Sequence, residues 1–212
     1  MTLIVPNGLK SFGYTHMKEK AENFAEEAAA EVVGHSLFIK EVSKMSISVF
    51  DLFKVGIGPS SSHTVGPMFA AKKFLFNCIE HFPLTKIASL KTELFGSLAL
   101  TGTGHGTNNA ILLGLEGEEP ASVDPEQIPA RLEQIRNSKT LNLLNEHIIP
   151  FDEKESLVFF HDDILPHHSN GMRFTVFDAD GIKLREESFY SVGGGFVLNA
   201  EEIQNTTEID GP

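Results

Sequence analysis

The chain carries a long hairpin signal towards its C-terminal end. Met172–Phe177 and residues 182–190 both alternate between apolar and polar side chains, and the turn-forming run Asp178-Ala179-Asp180-Gly181 separates them. Alternation predicts half-buried strands, and an Asp-Gly pair provides the backbone conformation that a tight hairpin turn needs. The sequence therefore predicts two antiparallel neighbours in a β-sheet.

Segments typical of strands and of helices are mixed along the rest of the domain. Residues 89–95 alternate as a strand does, and residues 157–160 predict a second, short strand. Three further segments predict helices, at 68–82, 110–115 and 130–137. A loop at 120–129 precedes the last of them. The glycines at 193–195 indicate a bulge or a close backbone approach in the next strand. We expect an α+β fold in which helices pack on one mixed β-sheet.

The charge of the chain limits its partners. The 212 residues carry a formal net charge of −12, which argues against nucleic acid and anionic membranes. No apolar run approaches the ~20 residues that a membrane-spanning helix needs. The N-terminus also lacks the basic and apolar regions of a secretory signal. We therefore expect a cytoplasmic protein.

Composition divides the chain into three parts. Residues 1–44 are rich in Ala and Glu between 17 and 33, which predicts a helical extension with a thin apolar face. Residues 45–200 form the domain, and 201–212 are a polar tail in which we expect no regular element.

Cys78 is the only cysteine, and its surroundings have the pattern of an amphipathic helix. A lone cysteine in such a helix is most often a small buried hydrophobe. It cannot form an intrachain disulfide, and alone it cannot hold an iron–sulfur cluster, which normally takes several thiolates.

One polar cluster lies between glycines and prolines, just ahead of the first predicted helix. It consists of Ser60, Ser61, Ser62, His63 and Thr64. A turn of hydroxyl and amide donors at a helix start favours a bound anion, because the helix dipole also attracts negative charge there. The alternative interpretation is a Ser-rich N-cap, which would explain one of these serines.

Two further clusters contain histidines. His105 is flanked by glycines, so its neighbours give it little cover and it can meet a ligand near the end of the preceding strand. Imidazole is also suited to proton transfer near neutral pH. The alternative is an ordinary histidine in a surface loop. The third cluster holds His167, His168 and Asn170, where an extended backbone would let at most one histidine face a shared site. Here the alternative is an Asn-Gly turn.

Other chemistries receive less support from the spacing. Five histidines could supply a zinc site, but no close ligand spacing is present, so we expect no metal on protein side chains: His63, His105, His161, His167 and His168. The pair Ser62–His63 would suit acyl transfer, yet sequence neighbours rarely form that hydrogen bond and no Gly-x-Ser-x-Gly elbow occurs. The glycine-rich runs match neither a dinucleotide fingerprint nor a Walker loop.

In this order, the clusters resemble those of the iron–sulfur-dependent bacterial L-serine dehydratases (L-serine ammonia-lyases). Four stretches carry the resemblance: residues 48–53 with 58–64, Gly104–Thr107, then Pro166, His168 and 170–172, and finally Ser191–Gly195. It extends from about Met45 to about Val197 and is nearest to the beta, N-terminal domain of the single-chain form. That domain in turn resembles an allosteric effector domain of phosphoglycerate dehydrogenases.

The resemblance implies a dehydrative elimination that converts L-serine into pyruvate and ammonia. It implies His105 as the base that removes the α-proton and His168 as a supporting catalytic residue. Substrate would be bound by Ser60, Ser61, Ser62, His63, Thr64 and Asn170. The family uses a [4Fe–4S] cluster held by three cysteines of another domain, so a cysteine-bearing alpha domain or subunit is the expected partner. We also expect a homo-oligomer.

Two residues depart from the family pattern. Asn108 stands where the family usually has Asp, and Phe69 stands where it usually has a basic residue. A carboxylate near His105 would affect its orientation or basicity, and a cation would strengthen carboxylate binding. Two other interpretations of the chain therefore remain open. One is a non-catalytic domain that senses serine or a small anion, and the other is an inactive, shortened gene product.

Overall fold

The computed structural model describes Gly58 and residues 60–209. Its main element is a five-stranded sheet in the order β4-β1-β5-β6-β7, and a separate two-stranded sheet pairs β2 with β3. The strands are β1 Ser89–Phe95, β2 Thr140–Leu143, β3 His147–Pro150, β4 Leu157–Phe160, β5 Gly171–Phe177, β6 Lys183–Gly193 and β7 Phe196–Asn199. The α-helices are α1 Gly66–Ile79, α2 Gly96–His105, α3 Thr107–Leu115, α4 Ile128–Ser138, α5 Glu153–Ser156 and α6 Ala200–Ile209. A five-residue π-turn, Ser61–Val65, leads into α1.

The sheet is mixed, as expected. β1 runs parallel to β4 and antiparallel to β5, with Leu94 opposite Phe159 on one side and Met172 on the other. β5 and β6 form the predicted hairpin, whose turn is closed by Asp178: its carboxylate accepts from the amides of Asp180 and Ile182. The α+β assignment is therefore confirmed.

The core lies between α1 and the sheet. Phe74 of α1 stacks on Phe174 of β5 with ring centroids 5.3 Å apart, and Phe189 of β6 meets Phe174 edge-on at 5.9 Å. All three rings are fully buried. Each such side chain contributes about 1.5–3 kcal/mol through the apolar surface removed from water. This packing fixes the N-terminal end of α1, and with it the π-turn, over the sheet.

Three elements differ from the expectation. Residues 96–105 form α2, although their glycines favour a turn: burial of Leu98 and Ala99 outweighs the low helix propensity of glycine. The hairpin β2–β3 is missing from the prediction because four-residue strands leave almost no periodic signal. The polar tail, where no element is expected, contains α6.

Some expectations lie outside the described residues. They are the helical extension at 1–44, the domain start at Met45 and the stretch 48–53 that contributes to the family resemblance. The domain boundaries therefore stay predictions. None of the helices described by the structure combines the length with the apolar composition of a membrane span.

Candidate functional site

The π-turn is built around Ser60. The Ser60 hydroxyl accepts the His63 amide at 3.2 Å, and the Ser60 carbonyl accepts the Thr64 amide at 3.0 Å. Gly66 closes the wider ring by donating its amide to the Ser61 carbonyl. The capping interpretation is thus correct for Ser60 alone. Such π-turns are rare and are frequent at functional sites.

His63 has a hydroxyl at each ring nitrogen. Nδ1 lies 3.0 Å from Ser62 Oγ, and Nε2 lies 3.0 Å from Ser97 Oγ in the first turn of α2. Since a hydroxyl can donate or accept, these contacts suit either neutral tautomer. Burial, followed by the nearby His105 ring, lowers the pKa of His63, while a hydrogen bond with the Ser97 backbone raises it. The net effect favours a neutral His63 imidazole.

His105 is the last residue of α2. Its Nδ1 lies 2.9 Å from the Thr101 carbonyl oxygen, which can only accept a hydrogen bond. Nδ1 therefore carries the proton, and in the neutral ring Nε2 holds the lone pair. A half-buried imidazole of this tautomer can take up a proton at Nε2.

The two histidine rings lie side by side, with centroids 4.9 Å apart and planes inclined by 39°. Two threonines hold their backbones together. Thr64 donates its hydroxyl to the His105 carbonyl at 3.0 Å, and Thr107 donates to the His63 carbonyl at 2.5 Å. Thr64 is buried, so its side chain supports the turn from within. The structure thus brings the first and second polar clusters together.

The third cluster is joined to them through Ser97. Its amide donates to the Ser169 carbonyl at 2.9 Å, while its hydroxyl contacts His63. Gly96 permits this approach: it has a φ of 54°, and a Cβ there would lie 2.4 Å from the Ser169 carbonyl oxygen. The loop that contains His168 is therefore attached to the start of α2.

Within that loop, His168 and Asn170 have clear local roles. His168 Nδ1 accepts the Asn170 amide at 3.0 Å. The Asn170 side-chain amide donates to the Ser191 carbonyl at 3.1 Å. The backbone carbonyl of Asn170 accepts the Ser191 backbone amide at 3.0 Å. His167 instead meets the Tyr190 ring edge-on at 5.5 Å. The two adjacent histidines have different surroundings, as expected for neighbours before a strand.

Sequence reasoning missed Ser97, Thr101 and Thr107. Ser97 and Thr101 lie four residues apart on one face of α2, with His105 four residues further on. That spacing places all three residues on one face of α2, and Ser97 and His105 of this face contact His63. It is visible only once residues 96–105 are known to be a helix.

A [4Fe–4S] cluster does not fit the residues of this chain. Cys78 is the only cysteine, it is fully buried in the core, and burial raises the pKa of its thiol to about 12. Cluster ligands are thiolates, and several are needed. Among the residues that the structure describes, no group of three or more His, Cys, Asp and Glu side chains could hold a metal ion.

Comparison with known proteins identifies the family of the chain. The family profile described as serine dehydratase beta chain matches residues 48–202. The chain is 48% identical over 159 residues to the L-serine dehydratase of Streptomyces coelicolor, which covers 75% of this chain and 35% of that protein. It is 42% identical over 165 residues to the L-serine dehydratase TdcG of Escherichia coli, covering 77% of this chain and 36% of that protein. The L-serine dehydratase of Haemophilus influenzae is 40% identical over 171 residues, covering 78% and 37% respectively.

The fold and the paired histidines define a small α+β domain with a polar turn beside two contacting imidazoles. The chain belongs to the serine dehydratase beta chain family. The match with these relatives extends over 35–37% of their length.

Proposed function

We propose that this chain is the substrate-binding and proton-transfer part of an L-serine dehydratase. The observation that carries the proposal is the His63–His105 pair, 4.9 Å apart beside a turn of serine hydroxyls. The names of the relatives supply the reaction class, the dehydration of L-serine. In that reaction L-serine loses its α-proton and β-hydroxyl to give aminoacrylate, which hydrolyses to pyruvate and ammonia.

The tautomer of His105 suits the removal of a proton. Its Nδ1 is occupied by the Thr101 carbonyl, so Nε2 is the nitrogen that accepts the α-proton of the substrate. The neighbouring His63 is neutral because burial disfavours its charged form. A neutral neighbour opposes the charge that forms on His105 less than an imidazolium would.

Hydroxyl and amide groups around the π-turn would hold the substrate carboxylate and amino group. Ser61 is exposed, and Ser60, Ser62 and Asn170 are half-buried. Ser62 and Ser97 hold the His63 ring by its two nitrogens. His168 orders the loop through the Asn170 amide, which makes it a supporting residue in our proposal.

The remaining chemistry would come from a partner. In our proposal the [4Fe–4S] cluster and its cysteine ligands belong to an alpha domain or subunit. The single buried cysteine of this chain cannot hold such a cluster. The matched stretch is 35% of the Streptomyces coelicolor relative, so the other part of such a protein is the natural candidate. A cytoplasmic location and a homo-oligomer stay predictions.

Reconstitution tests this proposal. The chain is mixed with the part of the Streptomyces coelicolor L-serine dehydratase that lies outside the match, loaded anaerobically with iron and sulfide, and supplied with L-serine. We expect pyruvate from the mixture and none from either part alone. The mixture containing His105→Gln should form far less. No pyruvate from a complex that assembles and carries a loaded cluster would contradict the proposal.

A second candidate is a sensor that binds serine without turnover, because this chain, with one buried cysteine, cannot itself hold the cluster that turnover would need. Calorimetry on the chain alone separates the two. Micromolar binding of L-serine with no partner present favours the sensor, whereas binding only within the reconstituted mixture favours the dehydratase.

A further inference from the structure

A clamp of polar side chains joins three helices close to His105. The carboxylate of Glu153, the first residue of α5, accepts from Asn108 Nδ2 at 2.8 Å and from Arg136 Nε at 2.6 Å. Arg136, in the last turn of α4, also donates to Asn109 Oδ1 at 2.6 Å. Asn108 and Asn109 lie in the first turn of α3. We call Asn108, Asn109, Arg136 and Glu153 the Glu153 clamp.

The clamp supports the backbone that carries His105. Gly106 joins α2 to α3 in a left-handed conformation, with φ of 72°. The Asn109 amide nitrogen lies 3.9 Å from the place that a Cβ on Gly106 would occupy. On the other side of His105, nothing lies within 4 Å of the corresponding place on Gly104. The carbonyl of Gly106, the residue after His105, accepts the Ala110 amide at 3.0 Å, so the Gly106 junction is bonded to the first turn of α3.

The clamp requires a hydrogen-bond donor at position 108 and an acceptor at position 153. The Glu153 side chain is 20% exposed, and it receives hydrogen bonds only of the kind that stabilise a carboxylate. Burial raises the pKa of Glu153, but Arg136 and Asn108 outweigh burial and hold that pKa below its ordinary value. An aspartate at position 108 would place a second carboxylate 2.8 Å from the first, where like charges repel. Asn108 and Glu153 are thus matched to each other.

We propose that Glu153 is a positioning residue for His105. By holding Asn108 directly and Asn109 through Arg136, it fixes the first turn of α3 and the Gly106 junction, and so directs the His105 ring. The inference rests on the proposed function only where His105 is assigned the proton transfer. The position of the ring itself is independent of that assignment.

Exchange of the two groups provides the test. The variants are Asn108→Asp, Glu153→Gln and the double variant, in which nearly isosteric side chains swap amide and carboxylate. In the 212-residue chain, the imidazole proton resonance of His105 is assigned with His105→Gln and followed together with the thermal midpoint. Each single variant should shift that resonance and lower the midpoint by about 2–4 °C. The double variant should restore both, because the new amide at position 153 donates to the carboxylate at position 108 and keeps an oxygen that accepts from Arg136.

Asp152→Asn is the matched control. Asp152 directly precedes Glu153, pairs with Lys139 at 2.7 Å and caps the Lys154 amide, a role that Asn also fills. This carboxylate-to-amide change should leave the His105 resonance where it is. In the reconstituted enzyme, Glu153→Gln should lower kcat with little change in KM, since it misplaces the base and leaves the hydroxyl turn intact.

Three results would overturn the inference. The first is a His105 resonance that does not move in either single variant. The second is a double variant whose resonance and thermal midpoint remain at the values of the single variants. The third is a shift of the His105 resonance in Asp152→Asn as large as that in Glu153→Gln. If the resonances behave as expected while reconstitution yields no pyruvate, the positioning role stands and the proposed function fails.

Discussion

The Thr107 hydroxyl lies 2.5 Å from the His63 carbonyl oxygen, and the Thr64 hydroxyl lies 3.0 Å from the His105 carbonyl oxygen. Each threonine thus bonds the carbonyl of a histidine that lies within two residues of the other threonine. Because both hydroxyls belong to buried residues, water does not compete for these carbonyls as it would at the surface. The distance between the histidine rings is therefore set by the backbone as well as by ring contacts.

Thr107→Val should destabilise the domain. The substitution keeps the shape of the side chain but leaves the His63 carbonyl without this donor, and an unsatisfied buried acceptor costs about 1–3 kcal/mol. Urea unfolding measures the loss. Thr101→Val is the control, since the exposed Thr101 hydroxyl bonds the Ser97 carbonyl within its own helix, and it should cost below about 0.5 kcal/mol. Equal losses in the two variants would refute the role given to Thr107.

His105→Gln should lower pyruvate formation by the reconstituted enzyme by about 10²–10⁴-fold, the usual contribution of a general base. The loss should appear in kcat. His81→Gln is the control: His81 is exposed beyond the far end of α1, which is about 21 Å long. If His81→Gln and His105→Gln retain the same activity, His105 is not the base.

Acidification should reduce stability through His63. Burial holds the folded pKa below the unfolded value of 6.5, so the unfolded state binds this proton more readily. The stabilising contribution is complete above that unfolded value and is lost as pH falls through the folded pKa. We expect His63→Gln to show a shallower fall in the free energy of unfolding below about pH 6.5. Parallel curves for the two proteins would rule this out.

Gly114→Ala should be severely destabilising. The new Cβ would lie 2.2 Å from the Met68 carbonyl oxygen, so α1 and α3 would have to separate. Overpacking of this kind typically costs about 1–3 kcal/mol. Gly104→Ala is the opposite case, because open space surrounds that position and alanine favours helix by up to about 1 kcal/mol. Calorimetric unfolding should therefore move in opposite directions for the two variants.

The strands with a regular alternation could be predicted from sequence. β1 begins and ends where the pattern of residues 89–95 does, and the Asp178–Gly181 turn locates the hairpin. Helix α2 could not be predicted, since its glycines and threonines favour turns when considered alone. The packing of Leu98 and Ala99 decides its conformation, and packing is a property of the whole fold.

The candidate site could be predicted from the sequence only in part, because it too depends on contacts made by the whole fold. Residue types identified His63 and His105, because few structural needs place imidazoles among glycines and hydroxyls. Their ring contact depends on Thr64 and Thr107, whose hydroxyls bond across the chain to backbone atoms. Local sequence carries no record of such long-range pairs. The pairing of Asn108 with Glu153 is hidden in the same way.

The burial of Cys78 has a practical consequence for labelling. Burial raises the pKa of the Cys78 thiol and leaves none of its surface exposed, whereas maleimides and other electrophiles react with an accessible thiolate. The native chain therefore offers almost no background to thiol-directed dyes. A cysteine introduced at the exposed Leu100 would carry a single fluorophore on α2, the helix that ends at His105, and would report ligand binding without removal of the native cysteine.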